Sequence, residues 1–231
     1  MIFLKMKKSD IITIICVVAV IALFAFVPGA LDWFKDSTRE HGMIMSFFKF
    51  AILATFGEML AHRIRTGSYY EKGFGILPRM LVWGILGMGI AMAMKIFTVG
   101  TIGFLSYLGL ENSAMWFAGD LSWGKVLVAF CISVLMNSIF APVFMTLHKI
   151  TDIHIQETGG SLIRFFKPFP IGDIMAHKIN WEVQWGFVFK KTIPLFWYPA
   201  HTITFLLPAD FQVLFAAFLG VVLGLILSIK K

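Results

Sequence analysis

Charge is what this 231-residue chain has least of. Asp, Glu, Lys and Arg make up 14% of it, against roughly 25% in a soluble domain. So few charges cannot clothe a water-facing surface, and the 58% hydrophobic content points the same way. Cysteine is nearly absent. Cys16 and Cys131 stand in separate apolar runs, with neither C-x-x-C nor metal-ligand spacing, and read as small buried hydrophobes rather than a redox pair. The chain has no G-x-S-x-G, H-E-x-x-H or Walker sequence, so no enzyme activity, catalytic residue, metal or cofactor is expected. It has no low-complexity tract, and no internal repeat of the kind that builds secondary transporters.

What is present is a series of long apolar runs. A helix needs about 20 apolar residues to cross a hydrocarbon core of roughly 30 Å. Six runs qualify as candidate spans: 11–27, 43–61, 80–98, 126–147, 192–208 and 211–229. The fifth contains Pro194, Pro199 and Pro208. The expected fold is all-α, a single polytopic transmembrane helical bundle of about six spans. The lysines before the first run resemble a signal peptide, but the run is long for one and no small-residue cleavage site follows, so it is expected to be retained as a helix. The segment after the third run, 96–110, is short and broken by Gly100, Gly103 and Gly109; it reads as an interfacial helix or loop.

Basic residues orient the spans. The formal net charge is +7, and 15 of the 20 Lys and Arg fall before span one, between spans two and three, between spans four and five, or after span six. By the positive-inside rule both termini are cytoplasmic. A seventh span at 96–110 would place the six-cation loop 148–191 outside, so it is rejected. In that loop Phe165, Phe166 and Phe169 mix with Arg164 and Lys167, and Trp181, Trp185, Phe187 and Phe189 precede Lys190 and Lys191. Such mixtures favour the headgroup level. The expected partner is therefore the lipid bilayer, not nucleic acid, and a homo-oligomer stays open. The Lys-rich start suits an inner (plasma) membrane, with an organelle membrane as the alternative.

Membrane helices meet through small residues. Ala216, Gly220, Gly224 and Ser228 recur every four residues in span six and are read as a helix-packing stripe; Gly84, Gly87 and Ala91 lie along one face of span three, and Ala54, Gly57 and Ala61 along one of span two. Polar groups inside spans are costly and point to function or to interhelical bonds. Glu58 lies near the inner end of span two with His62 four residues on, on the same face. Ser133 and Asn137 interrupt the small-residue face of span four; His201 and Thr204 lie near the middle of span five. Two readings stand. These six residues line a path for small solutes or ions, or they join helices in a non-conducting structural protein. Asp152 and His154 form a D-x-H, weak as a metal site without further ligands.

These residues also carry a family likeness. Asn137 with Phe140-Ala141-Pro142 is similar to the D-Q-x-x-F-A-P signature of the Mpv17/PMP22 family of small multi-span membrane proteins, with Met136 in place of the Asp. Gly57-Glu58 with His62 resembles that family's G-D-x-x-x-Q. Pro208, Phe211 and Leu227-Ser228 fall at its V-P, Tyr and L-S positions, while Gln212, Leu223-Gly224 and Ile203-Thr204 depart from its usual Arg, Trp-Asn and Asn-Phe. The likeness runs from about Ala51 to Ser228 and leaves span one as an addition to a four-span core. It implies a channel-like or solute-homeostasis role in a membrane.

Overall fold

The computed structural model describes residues 6–229. Lys5, Lys230 and Lys231, three of the cations used above to orient the chain, lie outside the described residues. The described chain is all helix and turn, with no strand. Its main elements are α1 (Lys8–Phe26), α2 (Ala30–Glu40), α3 (Gly42–Thr66), α4 (Ile76–Tyr107), α5 (Ser113–Ala118) and α6 (Trp123–Glu157). Short turns of helix at Leu162–Phe165 and Ile171–Lys178 follow. A composite rod, α7, begins at Trp181 and ends at Leu206, and α8 is Ala209–Ile229. Among the described residues five helices are long and apolar enough to cross a membrane: α1, α3, α4, α6 and α8.

The fifth apolar run is built differently. Within α7, the 14 residues Gln184–Trp197 form a π-helix and the nine residues Tyr198–Leu206 an α-helix. Proline has no N–H to donate and its ring collides with the carbonyl four residues back. Pro194 sits inside the π segment and Pro199 at the start of the α segment, and the wider π turn relieves both collisions. Wide turns of this kind gather at functional sites.

Of the two readings of segment 96–110, helix or loop, the structure takes the helix as far as Tyr107. α4 runs unbroken for 32 residues through Gly100 and Gly103. A mid-helix glycine costs only about 1 kcal/mol, and Thr101 and Leu105 are buried on the same stretch, which holds it helical. At 1.5 Å per residue α4 is about 48 Å long, more than a hydrocarbon core. The loop after span four is likewise partly helix, since α6 continues to Glu157.

Side-chain contacts fix which helix ends lie together. At one end Asp10 of α1 accepts from Arg63 of α3, Nε at 2.8 Å and Nη2 at 2.6 Å, and Lys7 donates to the Gly67 carbonyl beyond α3. The loop after α6 packs there against the loop before α4: a Cβ on Gly160 (φ +67°) would stand 2.6 Å from the Gly73 carbonyl oxygen, so only glycine fits. Arg65, Arg79 and Lys149 lie at this end as well, around one cavity. At the other end Arg39 donates to Asp210, Nε at 3.1 Å and Nη2 at 2.6 Å, which raises the Arg39 pKa above its ordinary value, and Phe34 stacks on Phe211. Lys49, a cation inside span two, donates to Thr38 at 2.8 Å over the Phe34 ring, so its charge snorkels towards that end.

Packing then runs as an arc. α8 packs on α3, α3 on α4, α4 on α6, and α6 on α7. Phe47 and Phe50 of α3 fill the places where Gly84 and Gly87 of α4 lack a Cβ. The core of Phe50, Met94, Leu105, Val128, Ile132, Met136, Phe205 and Ala217 fills the half of the bundle away from the basic end. There the arc closes, because the α-helical part of α7 packs on α8 just across their short turn; the π-helical part packs on α6, not on α8. α1 buries none of its side chains and touches the bundle mainly at its two ends, through Arg63 and through Phe24 on Phe34.

Candidate functional site

Two cavities occupy the unclosed half of the bundle. The first, about 390 Å3, lies at the basic end and is lined by Arg65, Arg79, Lys149, Asp152, Gln156 and Ser228 among others. The second, about 350 Å3, reaches Asn137, His201, Met136 and Phe50, and its walls are mostly apolar. Glu58, Trp83, Lys149, Gly220, Gly224 and Leu227 border both, so they form the neck between a polar mouth and an apolar chamber.

Glu58 organises the neck. Its carboxylate accepts from Arg79 on α4, from Trp83 Nε1 at 2.9 Å and from His148 Nε2 on α6 at 3.2 Å. The His148 ring lies 4.4 Å from the Trp83 ring. Arg79 also pairs with Asp152 at 2.6 Å and donates from Nε to the Phe74 carbonyl at 2.8 Å, and Asp152 has Lys149 at 3.9 Å. Two carboxylates therefore meet two permanent cations, with formal charges that cancel. A carboxylate so paired is not the bare anionic ring that favours cations. Arg79, His148, Asp152 and Trp83 belong to this cluster, yet in the sequence Arg79 counts only towards the basic asymmetry, Asp152 only as half of the D-x-H, and His148 and Trp83 carry no signal of their own. The signal that joins them is helical phase: Arg79 and Trp83 are four apart on α4, and His148 and Asp152 four apart on α6.

His62 is not in the cluster. It is buried, 3.6 Å from Glu71 and against the Phe74 ring; the α3 face that carries it turns to the loop before α4 rather than to the neck. Asp152 and His154 also part company, because His154 Nε2 meets the Phe165 carbonyl at 2.9 Å and its ring packs on Phe169.

At the chamber's far end the polar groups of α6 and α7 meet. Asn137 donates to the Ser133 carbonyl at 2.8 Å, and Ser133 Oγ donates to the Tyr198 carbonyl at 2.8 Å. The Asn137 Nδ2 is thereby directed at Ser133, so its Oδ1 accepts from His201 Nδ1 at 3.1 Å. Nε2 of His201 is then a bare acceptor, with no partner among the described residues. Thr204 is fully buried and bonds back to the Ala200 carbonyl at 3.0 Å. Two buried donors of α7 also lack partners, Gln184 Nε2 and Trp197 Nε1, and both residues line the chamber.

The stripe on α8 has two roles. A Cβ on Gly57 of α3 would stand 3.0 Å from Val221 Cα, so the tight seam lies along Gly57 and Val221, with Gly224 in ordinary contact with Ala61. A Cβ on Gly220 would meet nothing within 4 Å; Gly220 faces the cavities. Ala216 is buried at the chamber wall, and Ser228 borders the mouth and bonds to Leu225. No family model, curated protein or solved structure matches this chain.

Proposed function

We propose that this chain is a six-span inner-membrane protein, both termini cytoplasmic, that admits a small solute from the cytoplasmic side into a chamber at mid-membrane depth. The fifth span, which joins the five long apolar helices, is α7. The observation that carries the reading is the mouth–neck–chamber arrangement: hydrogen-bonding groups lead from Arg79 and Asp152 past Glu58 and His148 to Asn137 and His201, and the apolar core blocks the way beyond. Passage across the membrane, as the Mpv17/PMP22 likeness implies, then requires that core to part, which makes the protein a gated, channel-like pathway rather than an open pore. Neutralised carboxylates at the neck favour neutral solutes over ions. The role involves no catalytic step, and the bilayer is the partner that the exposed apolar surface needs.

The accessibility of an introduced thiol tests this. With Cys16 and Cys131 replaced by Ala, Ala141→Cys on the chamber wall should react with a small methanethiosulfonate reagent supplied from the cytoplasmic face and stay protected from the opposite face. Reaction from neither face, or equally from both, would overturn the vestibule. The alternative, a non-conducting structural protein, has its own support in the closed Asn137–Ser133–Tyr198 bonds, and it predicts protection on both sides. Orientation has a separate test: Asp36→Cys should label from outside and Asp173→Cys should not. External labelling at Asp173 would reverse the proposed topology.

A further inference from the structure

Resting on that reading, we infer that the chamber is a binding site for a neutral, largely apolar molecule carrying an acceptor oxygen, such as a ketone, admitted through the side of the bundle. The walls give the apolar part: Phe50, Ile90, Phe140, Phe144 and Leu223 line the chamber. The polar part is given by what the protein leaves unused. Gln184 is 6% exposed, yet its Nε2 has no partner, and neither has the indole N–H of Trp197. A buried donor without a partner forfeits its bonds to water and gains nothing in return. Natural interiors tolerate few such groups, and each asks for an explanation. Each is explained if a ligand oxygen accepts from it; the two stand at opposite ends of the π segment, so one ketone oxygen meets one of them at a time. Both are neutral donors, and the charges at the neck are already paired, so an ionic ligand would find no counter-charge at this depth. His201 Nε2 adds an acceptor one turn from Trp197, which gives a ligand hydroxyl a place as well.

Access follows from the arc. The π-helical part of α7 and the facing stretch of α8 form opposite walls of the chamber, with Gln184, Val188 and Thr192 on one side and Gly220, Leu223 and Leu227 on the other. They are joined only at the far end by the turn at Leu207 and Pro208, and they do not pack on each other along the chamber. The side of the bundle is therefore least closed where an apolar molecule dissolved in lipid would arrive.

Benzophenone tests the site, because it is neutral and apolar, carries one carbonyl and couples to nearby C–H bonds under ultraviolet light. Purified full-length protein in lipid nanodiscs should show saturable labelling, mapped by mass spectrometry to peptides containing Met136, Met145 or Leu223. Diphenylmethane, which lacks the oxygen, should compete about tenfold less well, the ratio that roughly 1.4 kcal/mol gives. The double variant Gln184→Leu with Trp197→Phe should weaken saturable labelling about tenfold while melting no lower than wild type, since it removes unsatisfied donors. Leu223→Trp should abolish it by filling the chamber. Equal competition by diphenylmethane, or unchanged labelling of the double variant, would overturn the acceptor inference and leave the vestibule standing. Labelling that never saturates, with Ala141→Cys still reactive, would do the same. Loss of Ala141→Cys reactivity, by contrast, would remove the vestibule itself.

Discussion

Arg79→Met should destabilise the protein by about 3–5 kcal/mol, the cost of leaving a buried charge without its partner. Arg79 Nη1 serves Glu58 and Asp152 together, and the guanidinium side chain is 9% exposed. Removing it leaves two carboxylates facing each other across the neck, with only Lys149 and the imidazole of His148 near them. The carboxylates are 21% and 16% exposed, so water in the mouth softens the penalty towards the lower end of the range. Thermal melting in detergent would read the change directly. Adding Glu58→Gln should recover more than half of the loss, because one of the two opposed charges is gone. An Arg79→Met protein that melts like wild type would show that the pair contributes nothing to the fold, and the neck would then lose its organising contact.

That cluster also shows how far the sequence could be read. The long apolar runs carry most of the architecture, because a hydrocarbon core dictates span length. Four of the runs form continuous α-helices of the α3, α4, α6 and α8 type, and the first forms α1. The run with three prolines hides its geometry, since periodicity cannot distinguish a π turn from an α turn where proline removes the donors. The glycines of 96–110 leave helix and loop both open for a related reason: propensity is local, and burial of Thr101 and Leu105 decides for helix. At the site, Asn137 and His201 meet as their matching depth implies. The Glu58 and His62 pairing does not survive, because sharing a face of one helix does not say which neighbour that face meets. Arg79, counted in the sequence only as a topology signal, turns out to hold the neck together.

The contact between α3 and α8 yields the sharpest contrast, between Gly57 in the seam and Gly220 beside it. Gly57→Leu should cost about 1–3 kcal/mol or more, the usual range for overpacking, because its Cβ would meet the Val221 backbone at 3.0 Å. Backbone cannot swing aside as a side-chain tip does, so α3 and α8 must separate. Gly220→Leu should leave the melting point unchanged or slightly raised: its Cβ meets open space, and leucine exceeds glycine in helix propensity by up to about 1 kcal/mol. The same side chain would project into the space that Gly220 opens to both the mouth and the chamber. Reactivity of Ala141→Cys from the cytoplasmic face should therefore fall at least tenfold in the Gly220→Leu background and stay near normal in any Gly57 variant that still folds. A Gly220→Leu protein that unfolds would place Gly220 in a helix seam after all, and one that folds with undiminished reactivity would mean that the solute path does not pass this residue.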